Sequence, residues 1–513
     1  MSGISENDLR TLEQKGISRE KVNAQIETFK EGIPFVDLEK AAIVGDGISK
    51  FSSADEADLI KTFEESKNNL SLLKFVPASG AASRMFKALF NFLDAYDPSE
   101  ESMAAYIDRT GDSAMKQFSQ HRQNFPFYDL VQNRISGEAN SDDEEVYLFV
   151  KELLSDNALN YGFYPKGLLP FHKYGEHTAT PFEEHLKEGA NYAKSAGRAM
   201  LHFTISEQHT QLFSTEYNTV WERVSAATDT AFDVDYSYQK ASTDTIAVNM
   251  DNTPFRNEDG SLLFRPGGHG ALIENLNEQD TDIIFIKNID NVVVPENTAA
   301  VTHSKKVLAG LLMKMQKKTF AYAKLLEAHQ VSDAHLGEIK DFLEENLNVR
   351  FSNTYDSLTT ENKVKVLKDK INRPIRICGM VKNEGEPGGG PFWIKDANGN
   401  VSLQIIESAQ IDTADDAQMG ILKNATHFNP VDLVCGVRDF QGKKYNLLNF
   451  VDHKQGFITA KTKDGKDLKA LELPGLWNGG MAFWNTLFVE VASATFNPVK
   501  TVNDLLKLSH QVS

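Results

Sequence analysis

The feature that most constrains the fold is an abrupt change of hydrophobic period near residue 72. The run LLKFV (72–76) is almost continuously apolar, as in a buried strand, and it ends in the small-residue turn PASG (77–80). The stretch AASRMFKALFNFLDAY (81–96) then spaces its apolar residues as a helix does. Strand, tight turn and helix open a βαβ unit, so we predict an α/β protein with a Rossmann-like, three-layer α/β/α core and a mixed, mostly parallel sheet.

The rest of the chain is organised around this unit. Residues 1–70 are predicted to form a helical N-terminal region, followed by one large α/β domain at 71–505 and a tail at 506–513. Within the large domain, an acidic, patchy insertion at 97–160 and a segment at 299–370 are predicted to be helical. The candidate strands are 201–206, 282–290, 373–381, 391–396 and 402–408.

Charge and cysteine usage exclude several classes of protein. The chain of 513 residues has 72 acidic and 54 basic residues, a net charge of −18, which argues against nucleic acid or membrane partners. Its two cysteines form neither a disulfide framework nor a CxxC zinc pair. The first residues lack the basic and apolar segments of a signal peptide, and no apolar run approaches the length that spans a bilayer. We therefore expect a reduced, cytoplasmic protein.

Two motifs in the first part of the chain place a cation beside a turn. In PASGAASRM (77–85), small residues let backbone amides approach a nucleotide, and Arg84 stands where a guanidinium could clamp phosphate oxygens. In YPKGLLPFH (164–172), Lys166 follows a proline and opens a loop, which suits a cation that reaches into a cleft. The alternatives are a strand–helix connection without a ligand and a solvated surface lysine.

Two further motifs suit a nucleotide and a metal. In RPGGHG (265–270), three glycines around His269 let the backbone come close to an anion or a ribose, although a flexible loop has the same composition. The apolar run IIFIKNIDN (283–291) ends in Asn288 and Asp290, at the point where α/β sheets place their ligands. A carboxylate there suits Mg²⁺, and the alternative is a turn that caps the strand.

The last part of the chain adds four polar candidates, each of which could also be structural: Glu407, Asn429, Lys461 and Lys500. Other constellations are absent from the sequence. The thirteen histidines form no HExxH and no HxH pair, and there is no GxSxG nucleophile turn. A glycosidase would need a pair of carboxylates, and the 72 acidic residues offer too many possible pairs to identify one.

Taken in order, these motifs resemble the UDP-sugar pyrophosphorylase family, especially the UTP–glucose-1-phosphate uridylyltransferases. The sequence also resembles a bacterial family of unknown function within that superfamily. The matching segments are PASGAASRM (77–85), PK (165–166), YQ (238–239), PGGHG (266–270), NIDN (288–291), IESAQ (406–410), FN (428–429), KTKDG (461–465), LE (471–472) and FNPVK (496–500). The chain departs from the family pattern at Ser79, Ala82 and Ser83 in the first motif and at Ala271 after PGGHG.

The resemblance implies a magnesium-dependent nucleotidyltransferase that joins a nucleoside triphosphate, UTP by the family's preference, to a sugar 1-phosphate and releases pyrophosphate. It implies catalytic roles for Arg84, Lys166 and Lys461, and a metal-binding role for Asp290. The residues implied to bind the nucleotide are Ala78, Ser79, Gly80, Ala81, Gln239, Gly268 and His269. Those implied to bind the sugar phosphate are Asn288, Glu407, Asn429 and Lys500.

Two other functions stay open at this point. A glycosyltransferase that uses a finished nucleotide sugar shares this type of sheet, although it usually has a DxD metal motif and NIDN has one acid at that place. A nucleotide-sugar-binding protein without turnover is also compatible with the altered glycine turn. Release of pyrophosphate separates these three functions.

Overall fold

A computed structural model describes residues 5–175, 177–328, 331–385, 388–395 and 399–512. The described residues contain fifteen α-helices. They are α1 (Glu6–Lys15), α2 (Arg19–Glu31), α3 (Ser53–Ser66), α4 (Lys87–Ala95), α5 (Met103–Thr110), α6 (Ser113–His121), α7 (Tyr128–Ile135), α8 (Asp142–Leu154), α9 (Pro181–Tyr192), α10 (Thr210–Thr228), α11 (Leu272–Glu278), α12 (Thr298–Glu327), α13 (Asp333–Asn346), α14 (Thr360–Ile371) and α15 (Asp416–Lys423).

The described strands follow in the same order along the chain. They are β1 (Asp37–Ala41), β2 (Ile43–Val44), β3 (Gly47–Ser49), β4 (Leu72–Pro77), β5 (His172–Tyr174), β6 (His177–Ala179), β7 (Lys194–Ser195), β8 (Arg198–Ile205), β9 (Ala231–Tyr238), β10 (Thr245–Ile246), β11 (Phe264–Arg265), β12 (Ile283–Ile286), β13 (Ile375–Lys382), β14 (Gly390–Lys395), β15 (Val401–Ile406), β16 (His427–Gly436), β17 (Phe457–Lys463), β18 (Lys466–Glu472) and β19 (Asn485–Glu490). The predicted α/β class is confirmed, and each candidate strand from the sequence corresponds to one of these strands.

Local sequence signals account for the first helices. Helix α1 begins with a reciprocal cap, in which the Ser5 side chain accepts a hydrogen bond from the Asp8 amide and the Asp8 carboxylate accepts one from the Ser5 amide. It ends at Gly16, whose φ of 67° lies in the left-handed region that glycine adopts without strain. Leu12 in α1 and Phe29 in α2 are buried.

The structure departs from the sequence prediction at two places. Residues 37–49 were predicted to be helical but form β1, β2 and β3, because β1 pairs antiparallel with β14, a partner more than 340 residues away in the sequence. Residues 81–86 were predicted to begin a helix, yet α4 begins at Lys87. The amide of Ala82 donates to the carbonyl of Tyr164, so this turn is bonded to another segment instead of entering the helix.

The chain divides into two compact units, each made of separate stretches of sequence. Unit 1 comprises Met1–Phe75, Ser237–Ile286 and Ser304–Ser493, and unit 2 comprises Val76–Tyr236, Lys287–His303 and Ala494–Ser513. Among the described residues, no helix combines the length and the apolar composition that crossing a bilayer requires.

Unit 1 contains most of a central sheet, with strand order β2–β3–β19–β13–β16–β12–β4. Neighbouring strands are parallel except at β16, which runs antiparallel to both β12 and β13. Through this register, Phe285 and Ile377 share one face of the sheet, whereas Arg376 points to the other. The ring of Phe63 in α3 packs edge-on against Phe285, so helices cover that face.

The opposite face of unit 1 is covered, around Arg376, by the antiparallel sheet β1–β14–β15. Arg376 is fully buried, and its Nη2 donates to Oε1 of Gln404 in β15 at 3.2 Å. A buried guanidinium must bond its donors, and this one does so with neutral oxygens of Thr486, Trp477 and Gln404, the last of which belongs to the second sheet. The two sheets are thereby held together at a polar contact.

Unit 2 contains the strands β7, β8 and β9, in which β8 pairs with both neighbours, and a helical part built from α4 to α8. The insertion predicted at 97–160 supplies much of its apolar core. The rings of Phe118 and Phe125 stack at 4.8 Å between centroids, and those of Phe125 and Phe127 at 5.2 Å. Val499 and Val502 are buried in the same core. The C-terminal segment is therefore anchored on both sides of Lys500.

Candidate functional site

Three charged side chains that are far apart in the sequence meet in unit 2 around one carboxylate. The Nζ of Lys166 lies 2.7 Å from Oδ2 of Asp290, and the Nζ of Lys500 lies 3.5 Å from the same oxygen. We call these three residues the lysine–aspartate cluster. Each was predicted from a different motif, and the structure brings them together.

Each member of this cluster is positioned by its own segment. Lys166 begins a short 3₁₀ turn directly after Pro165. Asp290 lies just beyond the last residue of β12, and it is almost completely buried. Lys500 follows the buried Val499 and keeps 61% of its side chain exposed. One ammonium is thus fixed inside the protein, while the other can move at the surface.

Backbone hydrogen bonds tie the predicted motifs to one another. The amide of Lys166 donates to the carbonyl of Gly80 at 3.1 Å, which joins the PK and PASG segments. The amide of Val499 donates to the carbonyl of Asp290 at 3.1 Å, which joins NIDN to FNPVK. Together with the Lys166–Asp290 ion pair, these bonds connect four motifs of unit 2 that were predicted separately.

The side chain of Asn291 fixes the last of these connections. Its Nδ2 donates to the carbonyl of Thr495 at 3.2 Å, and its Oδ1 accepts from the amide of Asn497 at 2.8 Å. Asn291 is buried, so this pair of bonds replaces lost hydration. The second asparagine of NIDN therefore has a structural role that supports Lys500.

The charges of the cluster perturb one another. Burial raises the pKa of Asp290, but the ammonium groups of Lys166 and Lys500 outweigh this effect and hold the pKa below its ordinary value. Burial lowers the pKa of Lys166, and Asp290 offsets part of that shift. Two cations facing one carboxylate leave an excess positive charge, which suits an incoming phosphate.

The PASG turn is open to solvent where it was predicted to hold a nucleotide. The amide of Ala78 donates to the carbonyl of Thr204 at 2.8 Å, and Ser79, Gly80 and Ala81 are exposed. A Cβ added at Gly80 would meet no atom within 4 Å. The backbone of this turn is therefore accessible to a ligand.

Arg84 is exposed in the turn that precedes α4. Among the described residues, its guanidinium forms no ion pair and no hydrogen bond with the lysine–aspartate cluster. The structure leaves this cation free to bind an anion but does not bring it to Asp290.

Two of the predicted residues, His269 and Glu407, lie in a second cluster, in unit 1, with two residues that were not predicted. The imidazole of His269 stacks on the indole of Trp477, with 4.6 Å between ring centroids and 19° between planes. Nearby, Nδ2 of Asn478 donates to Oε1 of Glu407 at 2.8 Å. We call His269, Trp477, Asn478 and Glu407 the histidine–tryptophan cluster.

Glycines permit the close packing of this cluster. Gly268, with φ of 74°, precedes His269, and a Cβ there would lie 3.0 Å from Oε2 of Glu472. A Cβ at Gly475 would lie only 2.5 Å from Nε2 of His269. The PGGHG and LE motifs thus lie against each other.

Polar atoms in this part of unit 1 are buried without hydrogen-bond partners in the described protein. They are Nε2 of His269, Oδ1 of Asn478 and Nδ2 of Asn429. Asn429 lies in β16, and its backbone N–H donates to the carbonyl of Gly389 at 2.8 Å. Such groups are rare in folded proteins and mark positions where a polar ligand can bond.

Burial also sets the charge of the histidine. It lowers the pKa of His269, and the carboxylates of Glu407 and Glu472 offset part of the shift. The imidazole is then neutral near pH 7, with one nitrogen able to accept and one able to donate. A neutral ring on an indole suits a planar, uncharged group better than a phosphate.

Three predicted residues are not joined to either cluster. Gln239 follows β9 and is half-buried, Asn288 is half-buried after β12, and Lys461 is exposed on β17. Within the part of the chain that the structure describes, no hydrogen bond or ion pair connects them to the two clusters. Their implied roles stay predictions.

The sequence reasoning missed Trp477, Asn478 and Arg376. The first two lie in LPGLWNGG (473–480), where the density of glycine around one tryptophan was an available signal. Arg376 carries no such signal, because it lies inside an apolar strand. Its Nη1 donates to the carbonyl of Trp477 at 2.5 Å, so it positions the indole that stacks on His269.

The donor set limits which metal the clusters can hold. The described residues contain no group of three or more His, Cys, Asp or Glu side chains placed to bind a metal ion. Asp290 offers one carboxylate, which already has two ammonium neighbours. Mg²⁺ at phosphoryl-transfer sites uses one or two carboxylates together with substrate phosphates. Asp290 therefore fits Mg²⁺ that arrives with a triphosphate, and it does not fit a resident ion held by protein alone.

Comparison with known protein families places the chain. Residues 5–511 match the family described as domain of unknown function DUF4301, and the chain belongs to this family. No curated protein gives a match.

Solved structures of pyrophosphorylases are similar to the chain over nearly its whole length. Two variants of UDP-glucose pyrophosphorylase from Leishmania major, both in complex with UDP-glucose, are 12% identical with a TM-score of 0.44, covering 99% of this chain and 79% of theirs. The uridine diphosphate N-acetylglucosamine pyrophosphorylase from Trypanosoma brucei, in complex with an inhibitor, is 12% identical with a TM-score of 0.48, covering 98% and 79%. Likenesses of this degree decide neither the activity nor the substrate.

Proposed function

We propose that this chain is a nucleotidyltransferase that joins a nucleoside triphosphate, preferably UTP, to a sugar 1-phosphate and releases pyrophosphate. The observation that carries the proposal is the lysine–aspartate cluster. Lys166 and Lys500 each place an ammonium within 3.5 Å of one carboxylate oxygen of Asp290. These three residues come from three motifs, and the order of the motifs along the chain resembles that of UDP-sugar pyrophosphorylases.

The reaction needs positioning and charge neutralisation more than acid–base groups. The sugar-phosphate oxygen attacks the α-phosphorus, the bond to the β-phosphate oxygen breaks, and pyrophosphate leaves with the electron pair. Lys166 is the cation that we assign to the charge developing on the phosphoryl oxygens, because it is fixed by Asp290 before substrate arrives. Lys500, largely exposed, is assigned to the phosphate of the sugar substrate.

Asp290 has two roles in this proposal. It holds Lys166 in place, and it is the residue that would bind Mg²⁺. When bound, the ion neutralises phosphate charge and helps to orient the triphosphate. Arg84 and Lys461 are proposed as further phosphate contacts on the resemblance alone.

We assign the uncharged parts of the substrates to the histidine–tryptophan cluster of unit 1. His269 and Gly268 would contact the nucleoside, with Gln239 reading the pyrimidine edge. Glu407 and Asn429 would bond sugar hydroxyls, and Asn288 is proposed for the same role on the resemblance alone. The buried, unpartnered Nδ2 of Asn429 is the observation that favours a hydroxyl ligand.

The test is pyrophosphate release by the purified chain with Mg²⁺, scanned over the common nucleoside triphosphates and sugar 1-phosphates. We expect release that needs both substrates and the metal, with UTP the best nucleotide. A matched Lys166→Met variant, assayed at the same folded concentration, is expected to lose that release.

Other results give other functions. Transfer of sugar from a UDP-sugar to an acceptor, without pyrophosphate, would indicate a glycosyltransferase. Binding of UDP-sugars with no turnover in any combination would overturn the proposal in favour of a binding protein. Greater thermal stabilisation by ATP than by UTP would contradict the base assignment.

A further inference from the structure

Unit 1 contains a cleft that neither cluster uses. Its volume is about 600 Å³, within the range of small-molecule sites. It lies at the amino ends of β13 and β19, where Arg373 and Asn485 line it, and beside the loop that carries Arg350.

The part of the cleft that Lys395 and Val401 line lies away from the histidine–tryptophan cluster. In the β14–β15 pair, Lys395 lies opposite Val401, and both line the cleft. At the other end of the same pair, Gly390 lies opposite Ile406, the residue before Glu407. Strands of this length rise about 3.3 Å per residue, so the two ends are roughly 17 Å apart. A phosphate group bound at the Lys395 end of this strand pair therefore cannot also contact Glu407 at the other end.

Positive charge is concentrated in the cleft, although the chain carries a net charge of −18. Two carboxylates line it, those of Asp37 and Asp452. Five cations line it as well: Arg350, Lys370, Arg373, Lys395 and Lys454. An arrangement of this sign in an acidic protein attracts anions.

Two of these cations have no carboxylate partner among the described residues. Arg373 and Lys370 are paired with Asp369, and Lys395 is paired with Glu39. Arg350 instead lies over the ring of Trp393, 4.8 Å from its centroid, and Lys454 has an exposed side chain. A guanidinium that lies over an indole can still bond phosphate oxygens through its N–H groups.

Aromatic rings complete the lining. Phe35 is 58% exposed and Phe483 is 43% exposed, high values for residues of this type. Both line the cleft with the free cations. Exposed rings beside unpaired cations match a planar base that carries phosphate, since bases stack on aromatic side chains.

We propose that this cleft binds a nucleoside diphosphate at a site distinct from the proposed active site. Arg350 and Lys454 bond the phosphates, and Phe35 or Phe483 contacts the base. Hydrogen bonds through Arg376 link the cleft to the histidine–tryptophan cluster. Gln404 and Thr486 line the cleft, and both accept hydrogen bonds from Arg376. Arg376 in turn donates to the carbonyl of Trp477.

The experiment is photolabelling of the full chain with azido derivatives of ADP and UDP, followed by mass spectrometry of the peptides. We expect label on peptides that contain Phe35 or Phe483, with displacement by the parent nucleotide and none by the free nucleoside. In the double variant Arg350→Gln with Lys454→Gln, the amount of label on these peptides is expected to fall about tenfold.

The controls separate this proposal from the proposed function. Arg19→Gln with Lys466→Gln removes the same charges from exposed positions of unit 1 outside the cleft and should label like the parent. Lys166→Met should keep the cleft label even where pyrophosphate release is lost. Absence of label from these peptides, or label unchanged in the double variant, overturns the site. Displacement by inorganic pyrophosphate as effective as by nucleotide would overturn base recognition.

Discussion

The two clusters are built on opposite principles. In the lysine–aspartate cluster of unit 2, every charged atom has an opposite charge nearby, and Lys500 lies mostly in solvent. In the histidine–tryptophan cluster of unit 1, the main contact is a ring stack, and polar atoms of His269 and Asn478 are buried without partners. The first cluster pairs its carboxylate within the protein, whereas the second has hydrogen-bonding groups that find no partner among the described residues.

Under the proposed function, we infer from this difference a division of work between the two clusters. Preformed charges cost no reorganisation when phosphate charge develops, so changes in the first cluster should affect rate. Unpartnered polar atoms and a flat aromatic surface discriminate between ligands, so changes in the second should affect affinity. Four variants test this division, from the largest expected effect to the smallest.

Asp290→Asn should have the largest effect. It keeps the shape of the side chain, removes the charge that fixes Lys166, and removes the carboxylate assigned to Mg²⁺. We expect Mg²⁺-dependent pyrophosphate exchange to fall about a thousand-fold, with a lower melting temperature because a buried ammonium loses its partner.

The control for that variant is Asp129→Asn, which breaks the exposed pair with Lys173 in the same unit. Rates are compared well below both melting temperatures. An Asp290→Asn protein that is less stable yet exchanges pyrophosphate at the parent rate would reduce Asp290 to a structural residue.

Lys166→Met should reduce turnover about a hundred-fold, since it removes one preorganised cation and leaves Lys500. The KM for the sugar phosphate should change little, because Lys500 makes that contact in the proposal. Steady-state kinetics with Lys173→Met as the matched control measures both. If the KM rises and the turnover number stays unchanged, Lys166 binds substrate and transition state equally.

Trp477→Leu should act on affinity. Removing the indole takes the support from His269, and we expect nucleotide binding to weaken about tenfold, as for the loss of one aromatic stacking contact. Equilibrium titration of UTP measures it, while the rate at saturation should stay within a few-fold of the parent. Trp221→Leu, at an exposed position of unit 2, is the control. An unchanged affinity would remove the nucleoside from this cluster.

Gly475→Ala should have the smallest effect, on stability. The added Cβ would lie 2.5 Å from Nε2 of His269, so the ring must shift. We expect a loss of about 1–3 kcal/mol in the free energy of unfolding, measured by denaturant titration. Gly420→Ala is the opposite control, because its Cβ meets nothing within 4 Å and it lies in α15, where alanine favours the helix. Equal effects of both changes would show that the packing around His269 is loose.

Local chemistry made part of this protein predictable from sequence. Serine and glycine caps set the ends of α1, and apolar runs set the central strands, because these signals act within a few residues. The same kind of signal identified Lys166, Asp290 and Lys500 as candidates, each beside a turn at the end of an element. It failed at residues 37–49, whose strand pairing depends on β14.

What the sequence determined by itself was the α/β class, the central strands and the set of polar residues at their ends. Only the tertiary structure decided which of them meet: Lys166 and Asp290 are 124 residues apart and share a hydrogen bond. It also decided that Trp477 supports His269 and that Arg376 supports Trp477. The physical reason is that an ion pair or a ring stack depends on distance in space, and strand order and packing fix that distance without any trace in the local pattern of residues.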